Sequence, residues 1–164
     1  MKGGLLMTIE EARQLLSNEV FPLRYDPDEW EYYLGANCYP YAIGLKTNES
    51  FMIGDLIGRR VTNKDSIVTI LYVLHLELET LGFEVLECCT EDIVPEGSHK
   101  IYLEKNSCGE YHFLRQDEDG LWSHKAADFS PNRRDTAGYL ITDPDSMCNP
   151  AFEGYCFMLT REEF

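Results

Sequence analysis

Apolar residues recur at helical spacing in the first half of the chain. Between Thr8 and Leu16 they fall on one face of a helix, and Thr8 and Glu11 match the residue pair of a capping box. After Ser66 a longer helix is predicted from Ile67, Ile70, Leu71, Leu74, Leu78 and Leu81, with Gly82 as its C-terminal stop. A third, short helix is predicted over Cys38 to Leu45.

The second half of the chain changes to short, strand-like segments separated by turn residues. The predicted strands are Phe83 to Cys89, Lys100 to Glu104, Tyr111 to Gln116, Leu121 to Lys125, Tyr139 to Thr142 and Tyr155 to Thr160. Helices followed by such strands are typical of an α+β fold in which N-terminal helices pack on an antiparallel β-sheet. At 164 residues the chain is predicted to form a single domain, residues 1–164.

One predicted hairpin carries two histidines, His112 and His124. A three-residue loop, Glu118 to Gly120, with Gly120 in the left-handed conformation would place both histidines on the same face as diagonal neighbours. A loop of two or four residues would place them on opposite faces. Two partly buried histidines that only satisfy local hydrogen bonds are the alternative interpretation.

The charge balance limits the classes of partner. The chain has 14 basic and 29 acidic residues, a net charge of −15, which argues against binding nucleic acid or an anionic membrane. The acidity either serves solubility alone or attracts basic partners. The most apolar run, residues 67–76, is too short to cross a bilayer, and the N-terminus does not resemble a signal peptide, so a cytoplasmic location is expected. The codons of Lys2-Gly3-Gly4 can form a bacterial ribosome-binding site, which makes Met7 a candidate start and places residues 1–6 upstream of it.

The six cysteines lack the spacing of a zinc site, and no other metal site or cofactor is predicted. Without an export signal, all six are expected to be reduced. Cys38 differs from the others because it follows a Gly/Asn turn and opens a predicted helix. Backbone amides at a helix N-terminus lower a thiol pKa, so we expect Cys38 to be the most readily alkylated cysteine. The same amides can hold an oxyanion, and the alternative is a small buried core cysteine.

The order Cys38, His112, His124 resembles the papain-like NlpC/P60 superfamily of cysteine peptidases and amidases. In that family a cysteine opens a helix, and two strand histidines follow at nearly the same spacing. The resemblance implies that Cys38 is the nucleophile, His112 its base and His124 the residue that orients His112. The segment Asn37-Cys38-Tyr39-Pro40 departs from the family's Asp-Cys-Ser-Gly-like setting, whereas Gly54-Asp55-Leu56 matches its Gly-Asp-Leu.

The resemblance therefore implies a papain-like thiol hydrolase that cleaves an amide, peptide or isopeptide bond in a peptide or protein substrate, expected in the cytoplasm. Asn37, Tyr39 and Trp122 are the candidate substrate-binding residues, and Asp128 or Asn132 could replace His124. A thiol acyltransferase or deamidase would use the same residues. The alternative from another class is a non-catalytic acidic protein that interacts with or inhibits a basic partner. The sequence gives no oligomeric state.

Overall fold

Helices precede the sheet along the chain, as the sequence pattern predicts. The computed structural model describes residues 7–105, 109–147 and 153–162. The helices are α1 (Ile9–Leu16), α2 (Cys38–Ile43) and α3 (Ile67–Thr80), with short 3-10 turns at Glu29–Tyr33, Asp55–Ile57 and Pro144–Ser146. The strands are β1 (Phe83–Glu87), β2 (Ser98–Lys105), β3 (Tyr111–Gln116), β4 (Trp122–Ser123) and β5 (Glu153–Arg161).

The helix ends follow from local hydrogen bonding. The Thr8 hydroxyl accepts a hydrogen bond from the Glu11 amide, and the Glu11 carboxylate accepts one from the Thr8 amide, which confirms the predicted capping box. The Ser66 hydroxyl accepts from the amide of Thr69 at the start of α3. Gly44, at a φ of 81°, ends α2 in the left-handed conformation and turns the chain away after the predicted cysteine helix.

The five strands form one antiparallel sheet in the order β1-β5-β2-β3-β4. The predicted strand over Tyr139 to Thr142 was wrong: Tyr139 and Leu140 are exposed, and Leu140 forms an isolated bridge with Arg134 in place of a strand. β4 is also shorter than predicted, because its pairing with β3 ends at Ser123 and the next residue, His124, pairs with Asn132.

Strand alternation gives the sheet two buried sides. One side carries Phe113 and its neighbours against the three helices and holds the larger core. The other side carries a smaller core of Tyr102, Leu114, Trp122 and Ile141 beneath the segment that follows β4. β3 therefore sends alternate side chains into two different environments, and this places the predicted site residues.

Lys100, Arg115 and Lys125 are buried cations among the described residues of this acidic protein. Each is neutralised or hydrogen-bonded inside the fold, as buried charges require. The Arg115 guanidinium donates to the carboxylate of Asp117 and to the carbonyl oxygen of Tyr41. These bonds attach the β3–β4 hairpin to the helix α2.

Two further expectations concern the absence of a membrane-spanning segment and the N-terminal residues. Within the described ranges, no helix has both the length and the apolar character needed to span a bilayer. The proposed start at Met7 concerns residues 1–6, which lie outside the described residues, as do Cys108 and Cys148.

Candidate functional site

The two hairpin histidines meet in the structure. His112 Nε2 lies 3.0 Å from His124 Nδ1, and the two rings are almost perpendicular. The hairpin register that produces this contact is the predicted one, since Gln116 pairs with Trp122 and Gly120 has a φ of 90°. The three-residue loop and the shared face are confirmed.

A backbone carbonyl determines which nitrogen of each ring carries the proton. His124 Nε2 lies 3.0 Å from the carbonyl oxygen of Arg134, which can only accept a hydrogen bond, so Nε2 is the protonated nitrogen. Nδ1 of a neutral His124 is then an acceptor, and His112 must donate to it through Nε2. Neutral His112 therefore keeps its lone pair on Nδ1. That is the protonation state of a general base.

The environment keeps His112 uncharged. Burial lowers the pKa of His112 to about 4, and the neighbouring His124 acts in the same direction. Near neutral pH the ring is therefore neutral, with its lone pair on Nδ1.

The segment after β4 holds His124 in position. His124 and Asn132 exchange two backbone hydrogen bonds, each 3.0 Å long. The Asn132 side-chain oxygen accepts from the Arg134 amide, and Asp128 is exposed. The structure therefore places His124, and neither of these alternatives, beside His112.

Arg133 fastens the same segment to the hairpin loop. Its guanidinium binds the carboxylate of Asp119 at 2.7 Å and reaches the carboxylate of Asp117 at 3.4 Å. Because Arg133 lies between Asn132 and Arg134, this ion pair fixes the carbonyl that sets the histidine tautomers.

Cys38 is the first residue of α2 and lies against β3 at Phe113. Tyr39, the next residue of α2, stacks on Phe113 with ring centroids 4.8 Å apart. The Cys38 thiol interacts with the backbone amide of Phe113, the residue that follows His112. The predicted helix start and its packing against the histidine-bearing strand are confirmed.

Cys38 and the histidine pair reach β3 from different sides. Phe113 faces α2, so His112 faces the opposite side of the sheet, next to Leu114. Cys38 lines a cavity of about 500 Å³ with Phe113, whereas both histidines line a space of about 60 Å³. Among the described residues, no hydrogen bond joins Cys38 to His112. The structure therefore brings His112 and His124 together and places Cys38 on the other side of β3.

The expected low pKa of Cys38 was wrong. Burial raises the pKa of the thiol, and the nearby carboxylate of Glu104 acts in the same direction. The backbone amides of Phe113, Cys38 and Tyr39 favour the thiolate but do not outweigh burial. In the free protein Cys38 is therefore held as the neutral thiol.

The side chains of the predicted substrate-binding residues make contacts within the protein itself. The side-chain amide of Asn37 donates to the carbonyl of Phe51 and accepts from its amide, so it fixes one wall of the cavity. Tyr39 is buried, and its hydroxyl donates to Glu77 at 2.6 Å. Trp122 is fully buried against Tyr102 and cannot contact a ligand, so its predicted role was wrong.

Two further residues near the site were missed. The Lys125 ammonium is buried and donates to the carbonyl oxygens of Leu34, Ala36 and Ala127, which holds the turn before Cys38. Glu104 pairs with His112 in the β2–β3 ladder and lines the same small space. Lys125 and Glu104 are the last residues of two predicted strands, and a charged residue at a strand end looks solvent-exposed in sequence, so no signal singled them out.

No group of three or more histidine, cysteine, aspartate or glutamate residues suited to holding a metal ion occurs among the described residues. His112, a neutral imidazole with a fixed tautomer, lies on β3, and Cys38, at the start of α2, contacts the same strand from its other side. An imidazole and a thiol are the pair of groups that general-base activation of a thiol uses.

No family model matches the chain, and no solved structure matches it. Among curated proteins, the chain is similar to insoluble matrix shell protein 1 of Ruditapes philippinarum. The two are 29% identical over 131 residues, which cover 74% of this chain and 78% of that protein.

Proposed function

We propose that the protein is a papain-like thiol hydrolase that cleaves an amide, peptide or isopeptide bond in a peptide or protein substrate, and that it acts in the cytoplasm. Cys38 is the nucleophile, His112 the base and His124 the orienting residue. The observation that supports the proposal best is the chain of hydrogen bonds from the Arg134 carbonyl through His124 to His112. It leaves the lone pair of His112 on Nδ1, where a thiol proton can be received.

The reaction begins with transfer of the Cys38 proton to His112 Nδ1. The thiolate attacks the carbonyl carbon of the substrate, and amides at the start of α2 are available to the resulting oxyanion. His112 then returns the proton to the leaving amine, which leaves a thioester on Cys38. Water completes hydrolysis. Capture of the thioester by an amine or alcohol would give acyl transfer, and a side-chain amide substrate would give deamidation.

The pKa shifts of Cys38 and His112 indicate which protons the two residues carry before the reaction. The pKa of the Cys38 thiol is raised and that of His112 is lowered to about 4, so the resting pair is thiol and imidazole rather than thiolate and imidazolium. Proton transfer must then accompany attack. Cys38 Sγ and His112 Nδ1 lie on different sides of β3 in the free protein, so the proposal requires substrate binding to bring them within hydrogen-bond reach.

The cavity beside Cys38 is where the substrate would bind. It has a volume of about 500 Å³ and apolar walls that include Phe51, Ile53 and Val61, with Arg60 among its polar lining residues. Such a cavity suits an acyl group with a large apolar side chain next to the scissile bond. Met52, an exposed residue of the same lining, is accessible to a ligand entering from solvent.

A covalent peptide probe tests the proposal. The protein is incubated with peptide vinyl sulfones that carry apolar side chains, and the modified cysteine is identified by mass spectrometry. We expect labelling at Cys38 in the wild type and at least tenfold slower labelling in His112→Ala, because the base is lost. Cys89→Ser removes an exposed cysteine that follows β1 and is the matched control. Its Cys38 should be labelled at the rate of the wild type.

Two outcomes contradict the hydrolase. One is equal labelling of Cys38 in the wild type and in His112→Ala. The other is no labelling of Cys38 by any probe when a different cysteine reacts. His124→Ala should give an intermediate rate, because His124 contacts the base and not the sulfur.

A non-catalytic acidic interaction protein is the second candidate. It is supported by the net charge of −15 and by the similarity to a protein whose name describes an insoluble shell matrix component. A lysine-rich peptide should then bind with an affinity that falls steeply with salt and is unchanged in Cys38→Ala. Binding no tighter than to an unrelated folded protein of equal net charge would contradict this candidate.

A further inference from the structure

Two cysteines outside the candidate site lie in contact across the sheet. Cys88 Sγ is 3.2 Å from Cys156 Sγ, and both cysteines are free thiols. Cys88 follows the last residue of β1, and Cys156 lies in β5, so the contact joins positions 68 residues apart. The neighbouring rung of the ladder pairs Glu87 with Phe157.

The backbone holds the two thiols opposite one another. The Cys88 amide donates to the Cys156 carbonyl oxygen at 3.1 Å, which continues the β1–β5 ladder by one rung. Directly opposed residues of antiparallel strands have Cα atoms about 4.5 to 5.5 Å apart, within the range that disulfides span. The two sulfurs can therefore bond without a rearrangement of the strands.

The surroundings distinguish the two sulfurs. The contact with Cys156 lowers the pKa of Cys88, and the buried ammonium of Lys100 adds to this effect. The same contact and burial raise the pKa of Cys156. Both residues are partly exposed, so a small oxidant can reach them. These directions favour Cys88 as the attacking thiolate and Cys156 as the resolving thiol.

We propose that Cys88 and Cys156 form a modification site at which a hydroperoxide converts the two thiols to a disulfide. The Cys88 thiolate attacks the outer oxygen of the hydroperoxide, the O–O bond breaks, and a sulfenic acid and an alcohol or water result. Cys156 then attacks the Cys88 sulfur, the S–S bond forms, the S–O bond breaks, and water leaves. Two electrons pass from the sulfurs to the peroxide, and a thiol reductant reverses the change.

Non-reducing peptide mapping tests this site. The reduced protein is treated with one equivalent of hydrogen peroxide, remaining thiols are alkylated, and the protein is cleaved after glutamate, which separates Cys156 from Cys148. We expect one cross-linked pair of peptides that contains Cys88 and Cys156 and lacks two hydrogen atoms. Cys88 should be consumed roughly tenfold faster than the adjacent Cys89.

Single substitutions assign the sulfurs. In Cys156→Ser the cross-link should disappear and Cys88 should stop at a sulfenic acid that dimedone traps. Cys89→Ser is the matched control and should cross-link like the wild type. The proposal is overturned if Cys89→Ser abolishes the cross-link, or if peroxide oxidises other cysteines of the wild type while Cys88 and Cys156 remain open to alkylation. The outcome does not depend on Cys38 or on any hydrolase activity.

Discussion

Glu104 should make the stability of the protein depend on pH in a direction opposite to that of most carboxylates. Its side chain lies next to His112 in the ladder, and Oε2 is buried with no hydrogen-bond partner among the described residues. Burial raises the pKa of Glu104 to about 7. An acid whose pKa is raised in the folded state stabilises that state below its unfolded pKa, and the stability is lost as the pH rises from about 4.3 through about 7.

The size of this effect follows from the same pKa. The difference between about 7 and the ordinary glutamate value of about 4.3 corresponds to at most about 3.5 kcal/mol. Because the side chain is partly exposed and water screens its charge, we expect about 2 kcal/mol. Glu104→Gln removes the ionisation. Part of the effect is already present at pH 5, which lies above the unfolded pKa, so the variant should gain about 1 kcal/mol relative to the wild type between pH 5 and pH 8.

Urea unfolding at pH 5, 6, 7 and 8 measures this difference directly. Any fixed cost of the substitution cancels when two pH values are compared, so only the ionisation remains. Glu84→Gln, at an exposed position of β1, is the matched control and should show no such trend. An equal free-energy difference between Glu104→Gln and the wild type at pH 5 and pH 8 would refute the reasoning.

The remaining predictions concern buried groups and thiols. Lys125→Met should lower the free energy of unfolding by about 3 kcal/mol in urea titrations, because it leaves buried carbonyls unpaired, whereas exposed Lys64→Met should change it little. His112→Gln should reduce the loss of stability as the pH falls from about 6.5 to about 4, since a base with a lowered pKa opposes folding there; an unchanged acid titration by circular dichroism would contradict this. Limiting iodoacetamide near neutral pH should modify Cys88 before Cys38, because the pKa of Cys88 is lowered and that of Cys38 is raised, and the reverse order by mass spectrometry would contradict the assignment.

Features set by a few adjacent residues could be predicted from the sequence. The capping box of α1 and the left-handed Gly120 each depend on neighbours in the chain, and both were confirmed. The Gly120 loop fixed the parity of β3 against β4, so the contact between His112 and His124 followed from it.

Features set by distant contacts could not be predicted in this way. The pKa of Cys38 depends on how deeply α2 packs against β3, which no local pattern records. Arg115 and Lys125 are charged residues that a pattern assigns to the surface, and only the tertiary carbonyls and carboxylate that surround them allow their burial. The pairing of Cys88 with Cys156 depends on β5 inserting between β1 and β2, which strand prediction alone does not give.

The group that sets the histidine tautomers is the main-chain oxygen of Arg134, and every amino acid carries that oxygen. Substitution of Arg134 by each of the other amino acids would therefore leave these hydrogen bonds in place, although both histidine tautomers depend on the carbonyl. Insertions or deletions between His124 and Arg134 would reveal the dependence, because they change where the carbonyl falls without altering any histidine. The hydrogen bonds of the two histidines are thus robust to substitution at position 134 and sensitive to the length of the loop that precedes it.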